Sequence, residues 1–273
     1  MLSLGQERYV EAATMLPLDT SFETFVSARA TLAWVAHSRP DLCCAINRAA
    51  QVTSTSFFKR HIQEFNKAVK YAKATKELGL SYSHLDKDSL HLRLYADASF
   101  ASNDDCSSQL GYIALLCDDR DGCHVLAYSS KKARRVVCSI MAGEVYAVAY
   151  AFDTAFILKH KHDLKRSYRQ HLPLVMLTDS KQMFDVITRA SHTTEKRLMI
   201  DVAAAREAYN RNEMSNVGLV KSDHNVADGL TKPRLCSALD AALRTGKDVN
   251  PVEQWMIRMP PTPGRSGAEE PGV

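Results

Sequence analysis

Hydrophobic and polar residues alternate along LHLRLYADAS (90–99), with the two-residue period that is typical of a half-buried β-strand. SQLGYIALLCD and HVLAYSSK are two further strand-like segments, and DDRDG (118–122) supplies a polar turn between them. LPLVMLTD (172–179) is almost continuously apolar, as expected of a strand that is buried on both faces of a sheet. Together with the short segment VGLVKSD, the pattern predicts five strands.

Helices are predicted between and after these strands. One runs from about residue 139 to 161, a short one follows LPLVMLTD, another spans roughly 194–212, and the last starts near Asn225. A meander of three strands followed by alternating helices and strands predicts an α/β fold. Its mixed five-stranded sheet would have three antiparallel strands and then two parallel ones, flanked by helices.

The chain on either side of this region has a different character. Residues 22–79 are predicted to be helical, with breaks at Pro40 and Gly79, so we expect a helical segment over 1–90. The main domain is then 91–235, and 236–273 is predicted to be a C-terminal tail. The last part of that tail, PPTPGRSGAEEPGV, is expected to be disordered because it is rich in proline and glycine.

Composition narrows the class of protein without indicating a function. Hydrophobic residues make up 45% and charged residues 24% of the 273 residues, as in ordinary globular proteins. The formal net charge of +4 is compatible with a polyanionic partner but too small to indicate one alone. The seven cysteines include no C-x-x-C pair, which argues against a zinc ribbon. No leader or membrane-span pattern is evident, so we expect a soluble intracellular protein without a membrane partner.

Four acidic residues stand where ordinary surface acids are not expected. Asp97 lies mid-strand, after alternating apolar residues, where both propensity and desolvation oppose an aspartate. Asp179 ends LPLVMLTD, at the carboxyl edge where open α/β sheets place their sites. Glu144 lies in the first turns of a largely apolar helix, and Asp228 lies near the start of the last predicted helix.

Three of these acids have an ordinary structural interpretation as well. Asp179 could cap the helix that follows it, Glu144 could be a solvated helix residue, and Asp228 could favour a helix N-terminus. If all four converge, their mutual repulsion calls for cations, and hard carboxylate oxygens favour Mg²⁺ or Mn²⁺. Two such ions about 4 Å apart can activate a water and stabilise the leaving oxygen of a phosphodiester.

Five short motifs follow one another in the order SRPDLCCAINRAAQ, AVKYAKATKELGLSY, YADASFASNDDCSSQLGYIALL, YSSKKARRVVCSIMAGEVYA and NVADGLTKP. In this order and spacing they resemble the ribonuclease H domain of copia-type LTR retrotransposon polyproteins, together with the region just upstream of it. The resemblance extends over about 24–235. Residues 1–90 would then correspond to the thumb or connection region of the reverse transcriptase, packed against the ribonuclease H sheet or extending the hybrid-binding surface.

The resemblance implies a ribonuclease H-like fold and an endonuclease that hydrolyses the RNA strand of RNA–DNA hybrids with two divalent ions, Mg²⁺ or Mn²⁺. By motif, the family's metal ligands and catalytic residues fall on Asp97, Glu144, Asp179 and Asp228. The implied partners are an RNA–DNA hybrid and the remaining reverse transcriptase domains of the same polyprotein. The implied location is a cytoplasmic virus-like particle or the nucleus.

A basic run lies next to these acids. Lys131, Lys132, Arg134 and Arg135 lead from the third strand towards the helix that carries Glu144. Such a cluster could bind the phosphates of a nucleic acid, although each residue could also belong to a solvated loop. We favour phosphate contact for the cluster as a whole.

Three further residues are candidates through their position beside an acid. Ser180 and Lys181 directly follow Asp179 and could reach a minor groove, where 2′-hydroxyls distinguish RNA from DNA. His224 lies four residues before Asp228, and related nucleases often place a mobile histidine there to help the product leave. A loop histidine can also simply face solvent.

Some positions depart from the family pattern. Ala142 stands where a glutamate is frequent, Leu198 where a histidine is usual and Tyr128 where a tryptophan is usual, and no Y-x-D-D polymerase motif is present. These departures keep open a different class, a catalytically decayed fragment that only binds nucleic acid or acts as a scaffold. A strand transferase of the integrase type shares the fold but orders its acids Asp, Asp, Glu, whereas the order here is Asp, Glu, Asp, Asp.

Overall fold

A computed structural model of the chain describes residues 2–165, 171–188 and 195–256. Its strands are β1 (Leu2–Leu4), β2 (Leu80–Tyr82), β3 (His91–Ser99), β4 (Gln109–Cys117), β5 (Cys123–Lys132), β6 (Leu174–Thr178), β7 (Asn216–Val220) and β8 (Val252–Trp255). Its α-helices are α1 (Glu7–Ala12), α2 (Phe22–Ala33), α3 (Cys43–Gln51), α4 (Lys59–Ala74), α5 (Ile140–Lys165), α6 (Lys181–Thr188), α7 (Met199–Asn210) and α8 (Ser237–Thr245).

The central sheet has six strands in the order β5-β4-β3-β6-β7-β8. β3 pairs antiparallel with β4 and parallel with β6, and β4 and β5 are antiparallel. β6 and β7 are parallel. The prediction of three antiparallel and then two parallel strands is therefore confirmed, and the sheet has the ribonuclease H-like arrangement that the motifs imply.

The predicted strand count and the predicted tail are corrected by the C-terminal region. β8 adds a sixth strand antiparallel to β7, and α8 lies within the interval 236–256 that was assigned to the tail. The helix predicted to start near Asn225 is instead a 3₁₀-helix over Val226–Leu230. The predicted disorder of 260–273 lies outside the described residues.

Both faces of the sheet are covered, because alternate residues of its central strands are apolar on each side. On one face, α5, α6 and α7 pack over Leu92, Leu94, Ala96 and Met176. On the other face, α8 and the 3₁₀-helix pack over a second cluster that contains Tyr95, Ile113, Leu177, Leu230 and Leu239. This double burial explains why β4 and β6 contain so few polar residues.

α5 is the most apolar long helix of the described chain. Contrary to the sequence expectation, its residues Ile140–Asp163 are long and apolar enough to match a membrane span by length and composition. Half of this apolar stretch is buried inside the structure. The buried alanines and valines of α5 belong to the core cluster on β3 and β4, so packing against the sheet accounts for its apolar face.

The N-terminal helices surround their own core and also contact the central sheet. The Tyr128 hydroxyl of β5 donates a hydrogen bond to the Ala36 carbonyl at 2.7 Å. The Gln109 side chain of β4 donates to Asn47 of α3 at 2.8 Å. The segment predicted to be helical also contains a small antiparallel sheet, which β1 forms with β2.

Candidate active site

Asp97 lies in β3, opposite Gly111 of β4, and is 3% exposed. Its carboxylate accepts a hydrogen bond from the Thr231 hydroxyl, just beyond the 3₁₀-helix. Gly111 allows this helix to approach, because a Cβ at that position would lie 2.8 Å from the Leu230 Cβ. The buried aspartate is tolerated mid-strand because the Thr231 hydroxyl and the Lys232 ammonium lie beside its carboxylate.

We expect Gly111→Ala to lower the free energy of unfolding by about 1–3 kcal/mol, the usual effect of overpacking. A decrease in the free energy of unfolding would indicate overpacking at this position, since replacing a strand glycine by alanine normally stabilises the protein by roughly 0.5–1 kcal/mol. Urea unfolding measures the effect, and Gly5→Ala is the matched control because a Cβ at Gly5 meets nothing within 4 Å. Equal stability of the two variants would show that Gly111 is not needed for the close approach.

Asp179 follows β6 directly and reaches the same edge of the sheet. The parallel register places Tyr95 beside Leu177, so Asp97 and Asp179 each come two residues later on adjacent strands. The fully buried Asn225 donates to Asp179 Oδ1 at 2.8 Å and to the Ala96 carbonyl at 3.1 Å. The sequence indicated Asn225 only as the start of a helix. In the structure its side-chain amide connects the Asp179 carboxylate to β3 through these two hydrogen bonds.

Glu144 comes from the other side of the sheet edge, on α5. The residue before it, Gly143, allows the helix to lie close to β3, since a Cβ there would be 3.0 Å from the Ala98 Cβ. Glu144 is 5% exposed, and its Oε2 atom is buried with no hydrogen-bond partner in the described part of the chain. A buried carboxylate oxygen without a partner is energetically costly unless something else binds it.

The three acids Asp97, Glu144 and Asp179 converge: each offers an oxygen, and these oxygens lie within 4.8 Å of one another. Burial, followed by the charges of Asp97 and Asp179, raises the pKa of Glu144 to about 9. Burial raises the pKa of Asp97 to about 6, although Lys232 and Thr231 act in the opposite direction. The unpartnered Glu144 oxygen and the hard carboxylate donors fit a divalent cation such as Mg²⁺ or Mn²⁺.

Asp228 lies beside this cluster but in a different electrostatic setting. It belongs to the 3₁₀-helix, is 4% exposed and contributes to the raised pKa of Asp97. Its Oδ1 is paired with the Lys232 ammonium, and its Oδ2 lies 3.1 Å from the Arg234 guanidinium. The structure therefore brings three of the four predicted ligands into one cluster and holds the fourth next to them with two cations.

The basic run lies where β5 leads towards α5. Lys131 lies over the Tyr150 ring, and the Arg135 guanidinium is 5.6 Å from the centre of the Tyr146 ring. Together with the exposed Arg134, these cations line a cavity of about 420 Å³ between the loop, α5 and α7. Lys132 does not line it and is paired with Asp105 instead.

The remaining predicted contacts have local partners. The Ser180 hydroxyl accepts a hydrogen bond from the Met183 amide at 3.3 Å, as a residue that caps α6 does. Lys181 is exposed and lies 4.0 Å from Asp185. His224 precedes the 3₁₀-helix, and its Nδ1 atom is buried without a hydrogen-bond partner among the described residues.

Sequence comparison relates the chain to two curated proteins of Arabidopsis thaliana. It is 27% identical over 226 residues to the retrovirus-related Pol polyprotein from transposon RE2, which covers 82% of this chain and 15% of that protein. It is 29% identical over 206 residues to the corresponding polyprotein from transposon RE1, covering 74% of this chain and 13% of that protein. The chain thus spans about one seventh of the length of these relatives. No family model matches the chain.

Among solved structures, the ribonuclease H1 of Halobacterium salinarum NRC-1 aligns with a TM-score of 0.38 at 18% identity, over 56% of this chain and 99% of that one. LC11-RNase H1, isolated from compost by a metagenomic approach, aligns with a TM-score of 0.40 at 16% identity, over 56% and 98%. Because both scores are below 0.5, the fold assignment rests on strand order and register. In sequence, the chain is similar to retrovirus-related Pol polyproteins of transposons, as its motifs predict.

Proposed function

We propose that this chain is the ribonuclease H part of a copia-type LTR retrotransposon polyprotein and cleaves the RNA strand of RNA–DNA hybrids. The observation that carries the proposal is the convergence of Asp97, Glu144 and Asp179 at the carboxyl edge of a ribonuclease H-like sheet. The similarity to transposon Pol polyproteins supports it independently. Residues 1–90 would then belong to the thumb or connection region of the reverse transcriptase, and the natural partners would be the hybrid and the remaining reverse transcriptase domains.

Asp97, Glu144 and Asp179 would hold the divalent ions, with Asp228 completing the set. Bound Mg²⁺ or Mn²⁺ would supply an activated water and stabilise the leaving oxygen of the phosphodiester. The protein's own contribution is to fix the carboxylates before the substrate arrives. Asn225 orients Asp179 through its donated hydrogen bond, and the Thr231 hydroxyl orients Asp97 in the same way.

The proposal is tested with purified chain and a labelled RNA annealed to DNA. We expect cleavage in Mg²⁺ or Mn²⁺, no cleavage in EDTA, and products that carry a 5′-phosphate and a 3′-hydroxyl. Matched RNA–RNA and DNA–DNA duplexes should remain intact. A folded protein that leaves the hybrid intact in both metals would refute the proposed activity.

Substrate binding is assigned to the basic run. Arg134 is exposed, whereas Arg135 lies against Tyr146 with its guanidinium 4.0 Å from Asp201, so Arg134 is the better placed of the two to reach a phosphate backbone. We expect Arg134→Ala to lower the slope of log K against log salt by about 1, the effect of losing one phosphate contact.

Fluorescence anisotropy with a labelled hybrid in EDTA measures this slope at several salt concentrations. Arg120→Ala is the matched control, because Arg120 is 80% exposed in the turn between β4 and β5, at the opposite end of the strands. If Arg134→Ala and Arg120→Ala give the same slope as the unmodified chain, Arg134 does not contact a phosphate.

A catalytically decayed fragment is the second candidate. Ala142 replaces a glutamate that is frequent in the family, and the Asp228 carboxylate is already neutralised by Lys232 and Arg234. Hybrid binding without cleavage in either metal would select this candidate, whereas repeated turnover would exclude it.

A further inference from the structure

The TKPR segment after the 3₁₀-helix surrounds two of the acids. The Thr231 hydroxyl donates to Asp97, and the Lys232 ammonium is paired with Asp228 and lies 3.9 Å from Asp97 Oδ2. We propose that Lys232 is a built-in counter-cation that competes with one divalent ion for Asp97 and Asp228. The inference rests on the proposed function, and it assigns to Lys232 the role of a positioning residue that sets metal affinity.

Burial makes a positive partner necessary for these two acids. The side chains of Asp97 and Asp228 are 4% and 6% exposed, and a buried carboxylate pair without a cation is strongly unfavourable. Lys232 lies four residues after Asp228, so one turn of backbone is enough to return the ammonium to the carboxylate. The pairing therefore follows directly from the local chain geometry.

Lys232 also has the mobility that a displaceable cation needs. Its side chain is 33% exposed, and a lysine stem with several rotatable bonds can move its ammonium into solvent. Arg234, whose side chain is 70% exposed, contacts the other oxygen of Asp228 from the outside. Neither cation is enclosed by the core, so both can leave without unfolding the segment.

Glu144 and Asp179, the other two acids, have no cation paired with them in the described part of the chain. The Glu144 Oε2 atom also has no hydrogen-bond partner among the described residues. A divalent ion beside Glu144 and Asp179 therefore has no paired ammonium to displace, whereas one bound by Asp97 and Asp228 must displace the Lys232 ammonium. The Lys232 charge reaches Glu144 and Asp179 only at longer range, without an ion pair. Two classes of metal site with unequal affinity follow from this asymmetry.

The test is a Mn²⁺ titration of the full chain followed by electron paramagnetic resonance, which counts bound ions without any cleavage. We expect a tighter and a weaker class in the unmodified protein. Lys232→Met should tighten the weaker class by about tenfold or more, because its competitor is gone, and change the tighter class less, because Lys232 is not paired with Glu144 or Asp179. Lys232→Arg should behave like the unmodified chain if it retains the ion pair.

Lys161→Met is the matched control, since Lys161 is exposed and lies about 25 Å along α5 from Glu144. A weaker class that is unchanged or weakened further in Lys232→Met would overturn the inference. A second measurement applies if the methionine variant folds poorly. In EDTA, the thermal unfolding midpoint of Lys232→Gln should be about 2–4 °C lower than that of the unmodified chain. Mn²⁺ should then raise the midpoint of Lys232→Gln by more than it raises that of the unmodified chain. An equal rise in both proteins would also overturn the inference.

The two proposals fail in distinguishable ways. If Lys232→Met leaves Mn²⁺ binding unchanged while the unmodified chain cleaves hybrids, only the role of Lys232 is lost. If Lys232→Met tightens Mn²⁺ binding while no hybrid is cleaved in either metal, the proposed role of Lys232 is supported and the proposed nuclease function is refuted.

Discussion

Asp97→Asn should lower the rate of hybrid cleavage by more than about 100-fold, while the protein remains folded. Replacing even an outer-shell partner of a metal ligand typically costs 10–100-fold, and Asp97 lies at the centre of the cluster between Glu144, Asp179 and Asp228. Asparagine has nearly the same shape, so it keeps a side-chain oxygen to accept from Thr231 but removes the negative charge that a cation requires.

The control for this variant is Asp119→Asn, because Asp119 is 80% exposed in the turn between β4 and β5. Its cleavage rate should equal that of the unmodified chain. Circular dichroism and thermal unfolding establish that both variants are folded. If Asp97→Asn retains more than a tenth of the cleavage rate, Asp97 does not hold a catalytic ion.

The second large effect is on the stability of the metal-free protein. The pKa of Glu144 is raised to about 9, chiefly by burial and then by Asp97 and Asp179, whereas the unfolded chain releases this proton near the ordinary value of about 4.3. Between these values the folded state binds more protons than the unfolded state. The free energy of unfolding therefore falls as the pH rises from about 5 to about 9.

Thermal unfolding in EDTA at about pH 5.5 and about pH 8.5 measures this effect. The contribution of Glu144 is the difference between the unmodified chain and Glu144→Gln, which removes this titration but leaves the others. We expect the unmodified midpoint to fall by roughly 5–10 °C more than that of Glu144→Gln over this range. Parallel changes in the two proteins would mean that Glu144 is ionised throughout, despite its burial.

Saturating Mn²⁺ should reverse the sign of this pH dependence for the unmodified chain. The cation binds the ionised carboxylates, so it favours the folded state more strongly as protons leave. Glu144→Gln should gain less from the metal at high pH, because one anionic ligand is missing. A midpoint that does not respond to Mn²⁺ at about pH 8.5 would contradict a metal site at this position.

The sequence predicted the part of the fold that depends on repeating patterns. The alternation in LHLRLYADAS locates β3, because its alternate apolar residues face one core. The continuous apolar run LPLVMLTD locates β6, because both of its faces are buried. Asp97 was conspicuous because the interior of a strand is an unfavourable place for an aspartate. The parallel register of β3 and β6 then places Asp97 and Asp179 at one edge.

What the sequence missed depends on contacts between distant segments. β8 is a short edge strand, and Glu253 and Gln254 on it are exposed, so it has no buried face to impose a pattern. The turn around Asp228 was expected to begin an α-helix, but Asn225 directs its side chain to Ala96 and Asp179 across the sheet edge. Such roles become visible only when the strands are in place.

The pairing of Asp228 with Lys232 was missed for a related reason. A lysine four residues after an acid is common on exposed helices, where the pair contributes little. Here Asp228 is buried beside Asp97, which gives the same spacing a different meaning. The four-residue spacing of Asp228 and Lys232 can be seen in the sequence, but the burial of Asp228 can be seen only in the folded structure.

Anomalous diffraction from crystals of this chain grown with Mn²⁺ tests the central claim most directly. The account predicts a manganese peak within about 2–2.3 Å of carboxylate oxygens from Asp97, Glu144 and Asp179 together. A peak bound to only one of these residues, or no peak at the cluster at saturating Mn²⁺, would contradict it.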